Sequence, residues 1–387
     1  PTGAAATRDA ELAKVAAGLL DAFMNTGPVL SRDGKKVIFN SNRDGLPQLY
    51  VADAAKPDGP ATRLIATKER MIDARTTKDG QRLCATVAYL DPARPRPNLT
   101  IIAEAQVGAL ALNGRKATGV SYRKGGAEYS AGADKIVVSA GVYHSPQILM
   151  LSGIGPSAEL KRLAIPVVQN TPGVGENYQD HPMVTMNFKA NPAKQSVLMR
   201  GRSTVKIYYK TDAARDYINF HIIPREAVAL SGLGDMLGFS CNLLEQTSRG
   251  KVTLQSADPA DLPNIDPQVL EHSDDIAAML AAMKFVERLA ATAPISDFFA
   301  ELISPGPKED WEKFARSSYN SYYHGVGTCK MGPSSDPMSV VDQHLRVHGF
   351  DNLWVGDASI MPTVVHANTN FTVMMIAERA AGFIEQA

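Results

Sequence analysis

The stretch VDQHLRVHGFDNLWVGDASIMPTVVHANTNFTVMMIAERAA, residues 341–381, sets the problem of the fold. With Val340 added, its first part, VVDQHLRVHGFDNLWV, reads as strand and turn: short β-prone runs broken by polar residues and a glycine. Its end, continued to FTVMMIAERAAGFIEQA at the C-terminus, reads as a helix, apolar enough on most sides to be largely buried. His344 and His348 stand four apart, the spacing of two metal ligands on a helix. They fall in the strand-and-turn part, and no Glu follows in the required place, so no metal site is expected.

Just upstream lies SYYHGVGTCKMG, residues 321–332, with His324 between two tyrosines and a glycine-loosened turn. A buried histidine most often has its ring satisfied by a neighbour. It can equally be a base, since a neutral imidazole takes a proton near pH 7. These residues alone leave both readings open.

Composition narrows the classes. The chain has 387 residues, 44% hydrophobic and 21% charged, enough for two domains or one large domain with a subsidiary one. Forty basic and forty acidic residues cancel without long single-sign blocks, which argues against a nucleic-acid surface or a polybasic membrane patch. Cys84, Cys241 and Cys329 are too scattered for a disulfide framework or a zinc cluster. They fit a reducing compartment, so a cytoplasmic location is expected. No run of about 18 apolar residues exists to cross a membrane. The first residue is Pro and no signal-peptide pattern follows, which suggests a processed or partial sequence.

Along the chain, AELAKVAAGLLDAF predicts a short helix. Residues 29–54 read as β-hairpins turning at Asp33-Gly34 and Asp44-Gly45, with an echo in TTKDGQRL at 76–83. Residues 98–140 alternate short strands with turns, and a helix follows through QILMLSG. Residues 273–292 form an amphipathic helix capped by Ser273, with Ile276, Leu280, Met283 and Leu289 on one face. Generic motifs fail. GIGPSA at 153–158 follows a helical run and has no ribose-binding acid about 20 residues on, so it is read as a turn. GVGEN and GLGDMLG are weaker still, and no Gly-x-Ser-x-Gly elbow occurs.

Five strings remain: VVSAGVYHSPQILMLSGIGP (137–156), PGVGENYQDHP (172–182), SRGKVTLQSADPADLPNIDP (248–267), YYHGVGTCKMG (322–332) and the opening stretch. In this order they closely resemble the glucose–methanol–choline (GMC) family of flavoprotein alcohol oxidoreductases, over about residues 80–387. Residues 29–68 resemble a repeat of TolB-type propellers. The GMC resemblance implies FAD in a Rossmann-like domain, covered by a domain rich in β-sheet. It matches His324 to the family's active-site histidine and Asn368 to its His/Asn partner. It places Asp357 and Ala358 beside the pyrophosphate and ribityl portion, and the backbone of Val107 at the adenine. Thr369 and Asn370 would precede a buried helix whose positive end faces the flavin. Gly325 and Gly327 would give the backbone room near the flavin ring, and His366 is a neighbour of Asn368. The family's opening strand, GxGxxG loop and acidic ribose contact do not precede residue 80 here.

The expectation is therefore an α+β fold: a partial Rossmann-like FAD domain from residues 80–180 and 333–387, a sheet-based substrate domain from 181–332, and an N-terminal segment 1–79. The expected activity is FAD-dependent oxidation of a small alcohol to an aldehyde or ketone. The second reading is a truncated or chimaeric chain that keeps the fold and binds no flavin. The motifs name neither the alcohol nor the electron acceptor.

Overall fold

The computed structural model describes residues 25–30, 36–41, 48–53, 55, 60–65, 84–194, 206–211, 217–230 and 234–387. The first strands are β1 (Asn25–Leu30), β2 (Lys36–Ser41), β3 (Gln48–Asp53) and β4 (Thr62–Ile65), an antiparallel meander in the order β1-β2-β3-β4. The strands expected around the two Asp-Gly turns thus pair. The turns themselves, the helix expected over 10–23 and the echo at 76–83 lie outside the described residues.

Next comes a three-stranded antiparallel sheet of β5 (Gln106–Asn113), β6 (Lys116–Lys124) and β7 (Ala127–Gly132). The run 98–105, also expected as strand, is not one. Its apolar residues find no partner strand, and Leu99, Ile101 and Ile102 stay exposed. Strand β8 (Ile136–Val138) is followed by helix α1 (Gly141–Leu151), then by β9 (Ile154–Gly155), α2 (Ser157–Arg162) and β10 (Gln169–Asn170). GIGPSA is thus a two-residue strand turning into a six-residue helix at Pro156, not a phosphate loop.

A six-stranded sheet follows, with path β12-β13-β14-β11-β17. Its strands are β11 (Pro182–Ala190), β12 (Ile207–Tyr209), β13 (Phe220–Leu230), β14 (Gly234–Leu243) and β17 (Phe299–Ser304), with β18 (Asn320–Ser321) on β11. Between β14 and β17 run the pair β15 (Lys251–Thr253) and β16 (Asn264–Asp266), then helix α3 (Ser273–Ala290); helix α4 (Trp311–Ser318) follows β17. The period of two along β11, β13 and β14 sends Val184, Met186, Phe220, Ile222, Phe239 and Cys241 to one face. Against it α3 packs Ile276, Met279, Met283, Val286 and Leu289. Each such side chain contributes about 1.5–3 kcal/mol on burial. The cap of α3 differs from expectation. His272 is the N-cap, its Nδ1 accepting from Asp274 N, and Ser273 is the first helical residue.

The second core gathers both ends of the matching region. Strand β19 (Leu353–Val355) pairs in parallel with β8, and helix α5 (Asn370–Glu385) closes the chain. Leu149, Met150, Ile154, Val174, Val326, Trp354 and Val355 fill the space between them. This parallel pair with its helices is the Rossmann-like part, and the molecule is α+β. One expectation is overturned: α5 is not largely buried. Only Ile376 and Ala380 are, while Phe371 and Met375 stay more than half exposed. Its last carbonyls are met by Lys135, whose Nζ donates to Ile384 O and Ala387 O at 2.8 and 2.7 Å.

Candidate active site

The site forms where the second face of the six-stranded sheet meets the loops before β11, after β18 and before α5. Asp180 organises it. Its Oδ1 accepts from the backbone N–H of His181 at 2.7 Å and of His324 at 2.9 Å. Its Oδ2 accepts from the hydroxyls of Ser321 and, at 3.4 Å, Tyr178. One buried carboxylate thus ties two loops 144 residues apart through the backbones of both histidines.

The rings follow. His181 Nδ1 and His324 Nδ1 lie 2.8 Å apart with the ring planes nearly perpendicular. On the other side of His324, Nε2 is 3.3 Å from Asn368 Nδ2, and Asn368 Oδ1 accepts from Lys206 Nζ at 3.2 Å. Tyr322 packs edge-on against His324, whereas Tyr323 points out, 89% exposed. The two tyrosines preceding His324 therefore do different things.

Electrostatics favours a neutral His324. Burial pushes its pKa down, the Asp180 carboxylate pulls it up, and the Lys206 ammonium pushes it down again. His181 is held down to about 3, first by burial and then by His324. His221 is held down to about 4, first by burial and then by Lys206. It faces the exposed Tyr208 ring edge-on, and its Nδ1 has no hydrogen-bond partner among the described residues. His366 lies 3.8 Å from the Glu245 carboxylate and beside the Tyr217 ring.

The glycines of the His324 loop are also required by close packing within the protein. A Cβ at Gly327 would sit 2.3 Å from Asn177 O, and its φ of +101° suits only glycine. A Cβ on Gly325 would meet Val142 and Tyr178 at 3.0 and 3.2 Å. Both positions are set by protein packed against protein. The loop then runs along the segment after β19, with Cys329 N donating to Ser359 O and Met331 N to Ile360 O.

Of the remaining expected residues, Thr369 and Asn370 adjoin Asn368, while Asp357, Ala358 and Val107 make contacts within the protein. Asp357 is buried, and its carboxylate is fully engaged: Oδ2 accepts from Gly141 N at 2.9 Å and Ser145 Oγ at 2.5 Å, Oδ1 from Ser359 N at 2.8 Å. The Ala358 carbonyl accepts from Gly327 N, and Val107 lies on β5, opposite Tyr122. Thr369 and Asn370 open α5, whose first turn has no side-chain cap, so its N–H groups remain available one residue from Asn368. Asp180, His181 and Lys206 were not singled out from the sequence. QDHP does show an acid beside a histidine, a sign of local charge balancing. Lys206 has no sequence signal, since its partner is 162 residues away.

The FAD fit is uneven. The uncapped start of α5 beside His324 and Asn368 suits the redox end of a flavin: backbone donors and a base on one side. The phosphate end finds no strand–GxGxxG–helix turn among the described residues, and the Asp357 carboxylate is already used by the protein. Among the described residues no cluster of His, Cys, Asp or Glu could hold a metal. His344 packs on Phe383, and His348 Nε2 bonds Ser339 Oγ and Gly332 O. No helix among the described residues is long and apolar enough to cross a membrane.

Residues 68–183 and 246–377 match the N- and C-terminal family profiles described as GMC oxidoreductase. The human mitochondrial choline dehydrogenase is 34% identical over 342 residues, 80% of this chain and 58% of its own length. The alcohol dehydrogenase [acceptor] of Pseudomonas putida is 38% identical over 347 residues, 80% of this chain and 62% of its own. The chain thus spans about three fifths of these relatives. Among solved structures, pyridoxine 4-oxidase from Mesorbium loti superposes with a TM-score of 0.74 at 23% identity, over 98% of this chain and 70% of that one. The Aspergillus oryzae RIB40 formate oxidase, in a structure concerned with FAD modification, gives a TM-score of 0.66 at 26% identity, over 76% and 62%.

Proposed function

Because the chain belongs to the GMC oxidoreductase family, we propose that it oxidises an alcohol to an aldehyde or ketone with FAD as hydride acceptor. The observation that carries this reading is the placement of Asn368 3.3 Å from His324 Nε2, with the other ring nitrogen occupied by His181. The ring thereby turns its second nitrogen to Asn368, an amide that can hold an oxygen.

When bound, FAD supplies the acceptor for the hydride of the carbinol carbon. The protein's residues do the rest. His324 Nε2 takes the hydroxyl proton, so the carbinol gives up one proton and one hydride and becomes the carbonyl. Asn368 cannot titrate; its amide orients the substrate oxygen so that hydroxyl and C–H are both aligned. The N–H groups opening α5 at Thr369 and Asn370 would face negative charge at the redox end of the cofactor. The backbone of Val107 would meet the adenine, and the Asp357-Ala358 turn the middle of the dinucleotide. The domain division at residues 180 and 333 is part of the same reading.

The test is direct. With excess FAD and an artificial electron acceptor, the chain should convert a member of a short-alcohol panel, choline included, into its carbonyl product. A panel without any product would sink the proposal. The second reading, a chain with this fold and no flavin, is favoured by the full engagement of Asp357 and by the lack of a phosphate loop among the described residues. It predicts no saturable quenching of FAD fluorescence by the chain.

A further inference from the structure

Lys206 precedes β12, the edge strand of the six-stranded sheet, and reaches across to the loop before α5. An ammonium has three donors and no acceptor. Its partner on Asn368 must therefore be Oδ1, as the 3.2 Å contact has it. This fixes the amide, whose O and N are otherwise interchangeable by a half-turn. The Nδ2 end then faces His324 Nε2 at 3.3 Å. An amide N–H₂ also only donates, so Nε2 must offer its lone pair and the His324 ring proton must sit on Nδ1. From there it is donated across 2.8 Å to His181 Nδ1, which leaves the proton of His181 on Nε2.

We propose that Lys206 is a positioning residue: by holding Asn368 Oδ1 it locks His324 in the tautomer whose Nε2 is unprotonated and accepts from Asn368 Nδ2, the contact that a substrate hydroxyl would replace. With Lys206 absent, the amide is free to rotate and present Oδ1 to Nε2. That orientation favours a proton on Nε2, in the other neutral tautomer or in the imidazolium, and neither can act as a base there.

Charge acts in the same direction. The groups facing the ring are Asp180 from the loop before β11, Lys206 before β12, His221 from β13, and the neutral Tyr322, His181 and Asn368. Asp180 favours the imidazolium and Lys206 opposes it. Among the described residues no carboxylate pairs with Lys206 to cancel that effect. The tautomer rests on hydrogen-bond geometry alone; its catalytic meaning rests on the alcohol-oxidation reading.

The measurement is long-range proton–nitrogen correlation NMR on the ¹⁵N-histidine-labelled chain without added cofactor, titrated with pH, for the parent, Lys206→Met and Lys206→Arg. The parent should show His324 protonated on Nδ1. Lys206→Met should shift the ratio of the two tautomers by about tenfold, as one lost hydrogen bond permits, and raise the ring's midpoint pH. Lys206→Arg, which also only donates, should restore the parent pattern. Lys206 is half-buried at a sheet edge, and the distant His272 and His348 signals report whether the fold is kept. A parent His324 carrying its proton on Nε2, or an unchanged tautomer ratio and midpoint in Lys206→Met, overturns the proposal. The experiment needs no turnover. The expected tautomer together with a chain that oxidises no alcohol would retire the functional reading and leave Lys206 in this role.

Discussion

His324 owes its place to a carboxylate that holds its backbone. Asp180 accepts the amides of His181 and His324, so its loss leaves two buried N–H donors unmet at once. Asp180→Ala should lower stability by about 3 kcal/mol in denaturant unfolding, with Asp180→Asn milder because one acceptor remains; an unchanged midpoint would contradict the assignment. The pH dependence has a definite sign. His324 titrates below its ordinary value, so activity should rise from acid and level off with a midpoint under about 6.5. His181 and His221 are buried neutral, at about 3 and about 4, so the unfolded chain binds protons more readily than the folded one. Their contribution to stability is complete above about pH 6.5 and is lost as pH falls toward those values. Denaturant midpoints between pH 7 and pH 4 check this, and a flat profile would contradict it. His324 and Asn368 were legible in the sequence because their flanking strings are distinctive. Lys206 was not, because a lone lysine ahead of a three-residue strand looks like any other until the sheet brings it to Asn368.

At the scale of elements, the glycine-spaced loop 324–331 is held by packing. Gly327→Ala combines a Cβ 2.3 Å from Asn177 O with a backbone at φ +101°. It should cost about 2 kcal/mol or more and displace His324 from Asn368. Unaltered thermal unfolding in that variant would mean that the loop adjusts freely. Here the glycines Gly325 and Gly327 are visible in the sequence, while the neighbours that demand them, Val142 and Tyr178 for Gly325 and Asn177 for Gly327, are distant along the chain. Helix α3 was read well because its apolar period is long and regular. Its cap was missed by one residue because a histidine ring does the work usually done by Ser or Asp. The burial of α5 was overestimated for a different reason. An apolar helix records what it can pack against, and here only Ile376 and Ala380 are buried while Phe371 and Met375 stay exposed.

For the whole molecule, the fold is that of GMC oxidoreductases, while the chain spans about three fifths of its curated relatives. The string GxGxxG does not occur in the sequence, and pyrophosphate depends on the backbone donors of such a turn. The purified 387-residue chain should therefore bind FAD weakly and be nearly colourless, and a grafted unit ahead of residue 80 should restore colour. A stoichiometrically yellow chain would contradict this. The central claim is narrower: His324 is the base of an alcohol oxidation. It is tested most directly by the rate at which an oxidised alcohol bleaches the flavin absorbance without oxygen, compared between parent and His324→Ala at saturating FAD. Bleaching slowed by about 100-fold or more at unchanged FAD affinity is the predicted result; equal rates in the two proteins would contradict it.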